Sequence, residues 1–371
     1  MGFSASPMMP REVLPLSGHP PVPIWDGSTK RRLMTPNDIS ALSAWLSDHL
    51  DGFDQIDSVE KFKGGQSNPT FRLVSPGGPL VLRRKPAGVL LKSAHAVDRE
   101  FRVQKALAGS AVPVAGVHLL CEDDSIIGSA FYIMDEVAGR IFDDPRLLDL
   151  SPSQRDAILD EMNRVLAAIH SIDIADVGLQ DFGPEGNYFA RQLGRWTKQY
   201  RASETETLPD MDALITWLEA HLPEDDGQRC LVHGDYRLDN LIFAPNTEDC
   251  HAVLDWELST IGHPYADLAG VIMQWALPPG SEGRGLGGVD RDALGLWSDQ
   301  RFVETYCARR GLAPIRDFGF YLAFSFFRMG AILQGVKKRG LDGNATDPER
   351  ALQLGRHVPA FAAKGLSITR G

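Results

Sequence analysis

Apolar positions along the chain change period several times, and each change marks an element. From Asn37 to Leu50, the residues Ile39, Leu42, Trp45, Leu46 and Leu50 are spaced 3, 3, 1 and 4, which is one face of a helix. This helix is expected to pack on the lobe that follows it. Val59 to Phe62, Thr70 to Val74 and Leu80 to Arg84 are short strand-like runs joined by GGQSNP and SPGGP, the signature of an antiparallel meander. After the loop containing Pro86, Ser93 is placed to cap a helix with Val97, Phe101 and Leu107 facing inward. Val112 to Leu120 and Ser129 to Met134 add two strands. The expected small lobe is a five-stranded antiparallel sheet with one helix, closed by a hinge at Asp135-Glu136-Val137-Ala138-Gly139.

Beyond the hinge the period is helical. Ile158, Met162, Val165, Leu166 and Ile169 are spaced 4, 3, 1 and 3, and that helix ends near His170. Aromatic residues between Tyr188 and Trp217 belong to further helical segments as core, and residues 210 to 222 make another helix. Leu241 to Phe243 and Ala252 to Leu254 flank a polar turn with Pro245 and Asn246 and predict a β-hairpin. Gly262-His263-Pro264 turns the chain into a helix from Tyr265 to Trp275. The glycine-rich stretch Leu277 to Gly295 reads as a long mobile loop. Phe318 to Val336 is apolar nearly all round and predicts a buried helix in which Arg328 needs a partner. The chain thus divides into an irregular proline-rich arm (1–35), a small lobe (36–136) and a large, mainly helical lobe carrying the hairpin (137–371). The fold class is α+β and bilobal.

Composition narrows the function classes. A formal charge of −11 over 371 residues and a pI near 5.4 argue against a nucleic-acid surface, since a phosphate backbone calls for a basic patch. Cys121, Cys230, Cys250 and Cys307 form no C-x-x-C pair, so neither a zinc site nor a disulfide framework is signalled. No apolar run is read as approaching the roughly 18 residues of a membrane span, and the N-terminus shows no signal-peptide core. The expectation is a soluble, cytoplasmic protein without a membrane or nucleic-acid partner; its oligomeric state is left open.

The candidate chemistry centres on Leu231 to Glu257. His233, Asp235 and Asn240 follow H-x-D-x-x-x-x-N, and the hairpin would bring Asn240 and Asp255 to one point, where a hard cation is the natural occupant. In the small lobe, Val81, Arg83 and Lys85 share a strand face, and Glu100 can reach back from the helix to that strand. Gly64 and Gly65 leave room for close backbone approach, with Ser67 and Asn68 as donors, which suits a phosphate-covering loop. Phosphoryl transfer to a hydroxyl needs these parts. Asp235 would orient or deprotonate the acceptor, Asn240 and Asp255 would bind Mg2+, and Arg83 fixed by Glu100 would hold phosphate. His233 would shape the loop by bonding backbone.

The segments GGQSNPTF, VLRRKP, SAHAVDRE, HGDYRLDN and LDWELSTIGHPYADLA resemble the aminoglycoside phosphotransferase superfamily, the small-molecule branch of the protein-kinase-like fold. In particular they resemble the phosphotransferase domain fused to acyl-CoA dehydrogenases. The resemblance implies MgATP, with adenine at the hinge on the backbone of Glu136 and Val137 and with Met134 at the back of the pocket. It further implies Arg237 near the transferred phosphate, Asp267 bracing the catalytic loop, and a small-molecule hydroxyl acceptor such as 4-hydroxyacyl-CoA or a hydroxy acid. A functional pairing with an acyl-CoA dehydrogenase follows from the same likeness. Phe326, Phe327, Arg328 and Lys337-Lys338-Arg339 favour such an acceptor over an aminoglycoside or another amino alcohol. The departures are a loop that is not G-x-G-x-x-G, arginine where lysine is usual with Lys85 as its rival, and Asp255-Trp256-Glu257 in place of D-F-G with no A-P-E. The last removes the case for protein substrates, and the arginine keeps open a nucleotide-binding protein without turnover.

Overall fold

Helix α1 (Pro36–His49) begins at a capping box in which Thr35 and Asp38 exchange side chain and backbone hydrogen bonds, with Pro36 in the first turn. The computed structural model describes residues 34–62, 68–86, 96–280, 284–345 and 347–370; Gly64, Gly65, Ser67 and the expected cap Ser93 lie outside them. Strands β1 (Ser58–Lys61), β2 (Thr70–Val74) and β3 (Leu80–Arg84) precede helix α2 (Val97–Leu107), and β4 (Val117–Cys121) and β5 (Phe131–Asp135) follow it. They form one antiparallel sheet in the order β1-β2-β3-β5-β4. The two-residue period sorts its faces. Leu82, Phe131 and Ile133 pack with Leu42 and Leu46 of α1, whereas Val81, Tyr132 and Met134 pack with Val97 of α2.

The fourth strand is shorter than Val112 to Leu120 because Pro113 cannot donate to a ladder. Its carbonyl instead accepts from Val253 N at 2.9 Å, tying the small lobe to the hairpin of the large one. At the hinge, Arg140 and Phe243 exchange backbone hydrogen bonds of 2.7 and 2.9 Å, and Gly139 lies so close that a Cβ there would sit 2.2 Å from Phe243 O.

The large lobe is built on α3 (Pro152–His170), α4 (Tyr188–Ser203) and α5 (Pro209–Ala220), then β6 (Cys230–Val232), β7 (Leu241–Phe243), β8 (Cys250–Val253) and β9 (Thr260–Gly262). Helices α6 (Tyr265–Trp275), α7 (Arg291–Leu294), α8 (Asp299–Arg310), α9 (Phe318–Leu341), α10 (Pro348–Gly355) and α11 (Val358–Ile368) complete it. β7 and β8 are the expected hairpin; β6 pairs with β9, a pairing no local pattern announced. The core is one large cluster in which Ile158, Met162, Val165, Leu166 and Ile169 of α3 meet Leu268, Ile272, Phe324 and Phe327.

Two expectations are corrected. The described parts of Leu277 to Gly295 fold back on α6: Leu286 N donates to Trp275 O at 2.9 Å, Gly287 N donates to Leu277 O at 2.8 Å, and Leu286 is buried. The reason is that glycines at 285 and 287 allow backbone to lie on backbone, a Cβ at Gly285 falling 2.1 Å from Leu277 O. Helix α9 is 24 residues and, by length and composition, apolar enough to cross a membrane, contrary to the reading of the apolar runs. In the structure 61% of its most apolar window is buried, with Phe324 and Phe327 in the large core. The four cysteines are free and buried.

Candidate active site between the lobes

The hairpin register sets the geometry. Leu241 stands opposite Val253, so the residues just outside the ladder, Asn240 and Leu254, are adjacent, and Leu254 N donates to Asn240 O at 2.8 Å. Asp255 follows in the left-handed region, at φ 65° and ψ 56°. A non-glycine residue adopts that conformation at a cost, and here the turn carries its carboxylate into the cleft. Asn240 Nδ2 donates to the Asp235 carbonyl at 2.8 Å, which turns the amide oxygen of Asn240 the other way. Asn240 and Asp255 therefore offer a hard amide oxygen and a carboxylate from neighbouring strand ends, a donor set that suits a divalent cation completed by oxygens from a ligand. Among the described residues no group of three His, Cys, Asp or Glu could hold a metal unaided.

The loop carrying Asp235 is held from three sides. Asp267, fully enclosed in the first turn of α6, accepts from His233 N at 2.6 Å and Gly234 N at 2.8 Å, with His170 Nε2 at 3.2 Å. Burial alone would raise the Asp267 carboxyl, but the hydrogen bond from His170, the neighbouring His170 and His233 rings and the Gly234 backbone donor hold it below the usual range. Burial keeps His170 neutral by lowering its pKa; its Nδ1 lies 2.7 Å from Tyr306 Oη. The His233 ring bridges Leu254 O at 2.8 Å and Asp235 N at 3.2 Å, which is the loop-shaping contact expected of it. Tyr236 Oη donates to Met162 O at 2.7 Å. Gly234 is required here: φ is +85°, and a Cβ would lie 2.6 Å from Leu258 O.

Asp235 itself faces the cleft with about a third of its side chain exposed, 32%. Burial pushes its carboxyl up, opposed by Arg237 and His233. Arg237 sits 2.9 Å from Asp239 and 3.7 Å from Asp235, and Asp239 also receives Arg284 at 2.6 Å.

From the other lobe, Arg83 bridges to this hairpin. Its Nε lies 2.6 Å from Glu100 Oε2 and its Nη2 lies 2.6 Å from Asp255 Oδ1, with Glu257 at 3.9 Å. Burial opposes the charge on Arg83, but Glu100, Tyr132 and Asp255 outweigh it and the guanidinium pKa is raised. Burial pushes the Glu100 carboxyl up against the pull of Arg83. Lys85, the rival cation, pairs with Asp98 at 3.6 Å, so Arg83 is the strand cation that meets Glu100.

Asn68 is not placed as expected. It is fully buried and gives its amide to Glu100 Oε1 at 2.5 Å, bracing the ion pair rather than facing a ligand. Tyr132 Oη donates to the other oxygen of Glu100 at 3.2 Å. Val81 stands directly across from Met134 on β3 and β5, and both belong to an apolar patch against which Val137 packs. The side chain of Glu136 accepts from Arg72 Nε at 2.8 Å.

On the far side of the cleft, Phe326 and Phe327 are core residues, 1% and 0% exposed, because consecutive positions on α9 are enclosed by α4, α6 and α11. They cannot line an acceptor site. Lys337 and Lys338 are paired with Glu206 and Asp342 at 2.5 Å each. Arg328 is different: its Nη2 donates to Gly234 O at 3.2 Å, beside Asp235. Glu257, His170 and Tyr132 were missed by sequence reasoning; Glu257 had a signal in its place two after Asp255, but the other two reach the site only through the fold. A cavity of about 100 Å3 lined by Asn187, Asp226, Gly262, His263 and Tyr321 touches none of Arg83, Asp235 or Asp255; the reactive groups face the open cleft instead.

Residues 58–310 match the sequence profile of the Phosphotransferase enzyme family. The chain is 50% identical over 303 residues to acyl-CoA dehydrogenase family member 10 of Mus musculus, covering 81% of this chain and 28% of that protein. It is 42% identical over 338 residues to acyl-CoA dehydrogenase family member 11 of Rattus norvegicus, covering 90% and 43%. The chain thus spans less than half the length of these relatives. A crystal structure from Ralstonia eutropha, provisionally described as an aminoglycoside phosphotransferase, superposes with a TM-score of 0.82 at 49% identity over 89% of this chain and 98% of that one. A thermostable mutant of the aminoglycoside phosphotransferase APH(4)-Ia, in a ternary complex with AMP-PNP and hygromycin B, shares the fold at a TM-score of 0.59 and 16% identity, over 90% and 99%.

Proposed function

Because the chain belongs to the phosphotransferase enzyme family, a kinase-like group acting on small molecules, we propose that it transfers the γ-phosphoryl group of ATP to a hydroxyl of 4-hydroxyacyl-CoA or a related hydroxy acid. The observation that carries the phosphotransfer reading is the Arg83 guanidinium, held by Glu100 in one lobe and by Asp255 in the other, opposite Asp235 and Asn240. These are the groups an in-line transfer between oxygens requires, and they come from elements far apart in the chain. The likeness to part of two proteins named acyl-CoA dehydrogenases supports an acyl-CoA acceptor and a functional pairing with a dehydrogenase.

In this reading Val81, Met134 and Val137 form the apolar bed for adenine, and the backbone of Glu136 and Val137 supplies its hydrogen bonds. Arg83 moves from Asp255 to the phosphates, its planar fork gripping two oxygens, while Glu100 keeps it in place. Asn240 and Asp255 would hold Mg2+, which would supply neutralisation of charge on the phosphate oxygens. Asp235 accepts a hydrogen bond from the acceptor hydroxyl, orients its oxygen toward phosphorus and takes its proton as the new O–P bond forms and the bond from the γ-phosphorus to the β–γ bridging oxygen breaks, releasing ADP. Arg237, adjacent to Asp235, is placed to meet the transferred group. Gly64, Gly65 and Ser67 retain their proposed part as the phosphate-covering loop.

The test is ATP consumption and phosphorylated product formation with 4-hydroxyacyl-CoA, free hydroxy acids, choline, homoserine and kanamycin, using the wild type and Asp235→Ala. Acceptor-dependent turnover that falls about 10²–10⁴-fold in the variant is expected. Undiminished transfer by Asp235→Ala would remove the assignment, and rapid turnover of kanamycin alone would replace the acceptor.

A further inference from the structure

Helix α4 packs on α9, whose Arg328 reaches the loop of Asp235, and the charge of α4 opposes that of the chain. Helix α4 carries Arg191, Arg195, Lys198 and Arg201 and no carboxylate, in a protein of formal charge −11. Two of these cations serve structure: Arg191 donates to Glu185 O at 2.6 Å, and Arg201 pairs with Glu204 at 2.6 Å. Arg195 is different, lying 5.3 Å over the Trp196 ring. Arg328 approaches the same ring at 5.8 Å and spends one donor on Gly234 O, the backbone next to Asp235. Among the described residues neither Arg195 nor Arg328 has a carboxylate partner. The charge of Arg328 acts on Asp235 and on Tyr188 at the start of α4.

A guanidinium carries five donors in a flat fork. Half-buried and anchored by one of them, Arg328 has a fork left to offer beside the reactive carboxylate. Resting on the phosphotransfer reading above, we propose that Arg328, with Arg195 across Trp196, is the specificity-determining grip of the acceptor site, and that the acceptor bears an anionic group. A polycationic acceptor meets like charge here and is disfavoured. Trp196 gives the grip a flat apolar floor, on which both cations are held without a carboxylate that would compete with the ligand. The anionic group is the carboxylate of a hydroxy acid or a phosphate of a coenzyme A thioester, and the two sources are separable by experiment.

The full chain is assayed with ATP against 4-hydroxybutyrate, 4-hydroxybutyryl-CoA and kanamycin, as wild type, Arg328→Gln, Arg328→Lys and Arg195→Ala. The KM for the anionic acceptor is expected to rise about 10–100-fold in Arg328→Gln, the range of a lost charge-assisted hydrogen bond, with KM for ATP and melting temperature unchanged. Arg328→Lys recovers part of the loss, and Arg195→Ala costs a few-fold by about the worth of a neighbouring cation. An effect confined to the free acid assigns its carboxylate, and an effect confined to the thioester assigns the coenzyme phosphates; an equal effect on both, which share only an uncharged carbonyl, overturns the anionic grip. An unchanged KM in Arg328→Gln, or kanamycin as the better substrate, overturns the proposal while leaving phosphotransfer standing. If the wild type transfers phosphate to none of them, calorimetric binding of coenzyme A and 4-hydroxybutyrate decides: binding lost in Arg328→Gln and retained in Arg328→Lys sustains the grip against a failed phosphotransfer reading. Binding that is absent in the wild type, or equal in all variants, ends it.

Discussion

Replacing Asp267 with alanine should disable the site from behind without touching it. The carboxylate accepts two backbone N–H groups of the Asp235 loop, at 2.6 and 2.8 Å, and faces His170 at 3.2 Å, all away from water. Leaving a buried donor without an acceptor costs about 1–3 kcal/mol, so two cost about 2–6 kcal/mol. An unfolding entropy of about 2.1 cal/mol/K per residue turns that into a fall in melting temperature of roughly 3–8 °C for a chain of this length. A displacement of the loop by about 1 Å is worth about 10²-fold in rate, and kcat should fall by that order while KM for ATP holds, since Arg83 and Glu100 are not involved. Asp267→Asn offers one acceptor oxygen where two are needed and should fall between. The pH dependence carries a sign. The folded carboxyl lies below its unfolded value, so its stabilisation is present above about pH 4 and is lost as pH falls through the lower folded value. The gap in melting temperature between wild type and Asp267→Ala should therefore be constant near neutrality and close in acid. A variant that melts within 1 °C of wild type by calorimetry, or keeps its kcat, would refute the bracing argument.

Glu100→Gln leaves Arg83 with Asp255 and the more distant Glu257 and should weaken nucleotide binding by about 10-fold, the worth of a charge-assisted contact; titration with a fluorescent nucleotide checks it, and an unchanged affinity counts against Arg83 as the phosphate cation. Gly234→Ala places a Cβ 2.6 Å from Leu258 O at a φ of +85°, and the clash with strain should destabilise by about 1–3 kcal/mol, read as a lower urea midpoint. Because burial pushes the Asp235 carboxyl up, and a base works only when deprotonated, kcat should decline with falling pH through a midpoint above the ordinary aspartate value of about 3.9. A pH-independent kcat down to that value would contradict the assignment.

Much of this architecture was readable in the chain because it rests on local pattern. The five strands, the α3 period and the β7–β8 hairpin are carried by apolar spacing and turn residues, and the hairpin register alone brings Asn240 to Asp255. What escaped is contact made at a distance. Asn68 looked like a ligand donor beside two glycines, yet its amide belongs to Glu100, 32 residues on. Phe326 and Phe327 looked like walls of an acceptor site, but neighbouring helices cover both. His170 meets Asp267 across 97 residues and Tyr306 across 136, so the relay runs through three helices, and no spacing rule links them.

The choice between Arg83 and Lys85 shows where pattern stops and electrostatics begins. Both share a strand face, so periodicity cannot separate them. The structure does so by burial: Arg83 lies under α2 with a side-chain exposure of 10%, while Lys85 is at 34% and meets Asp98 near the surface. A cation enclosed to that degree persists only where carboxylates surround it, and Glu100, Asp255 and Glu257 do. Of these, Glu100 is enclosed at 1% exposure while Asp255 is open at 34%. The inner contact is therefore the permanent one and the outer contact the one a ligand can replace. That asymmetry is what the proposed phosphate role needs: Arg83 can stay on Glu100 while its contact with the more open Asp255 is exchanged.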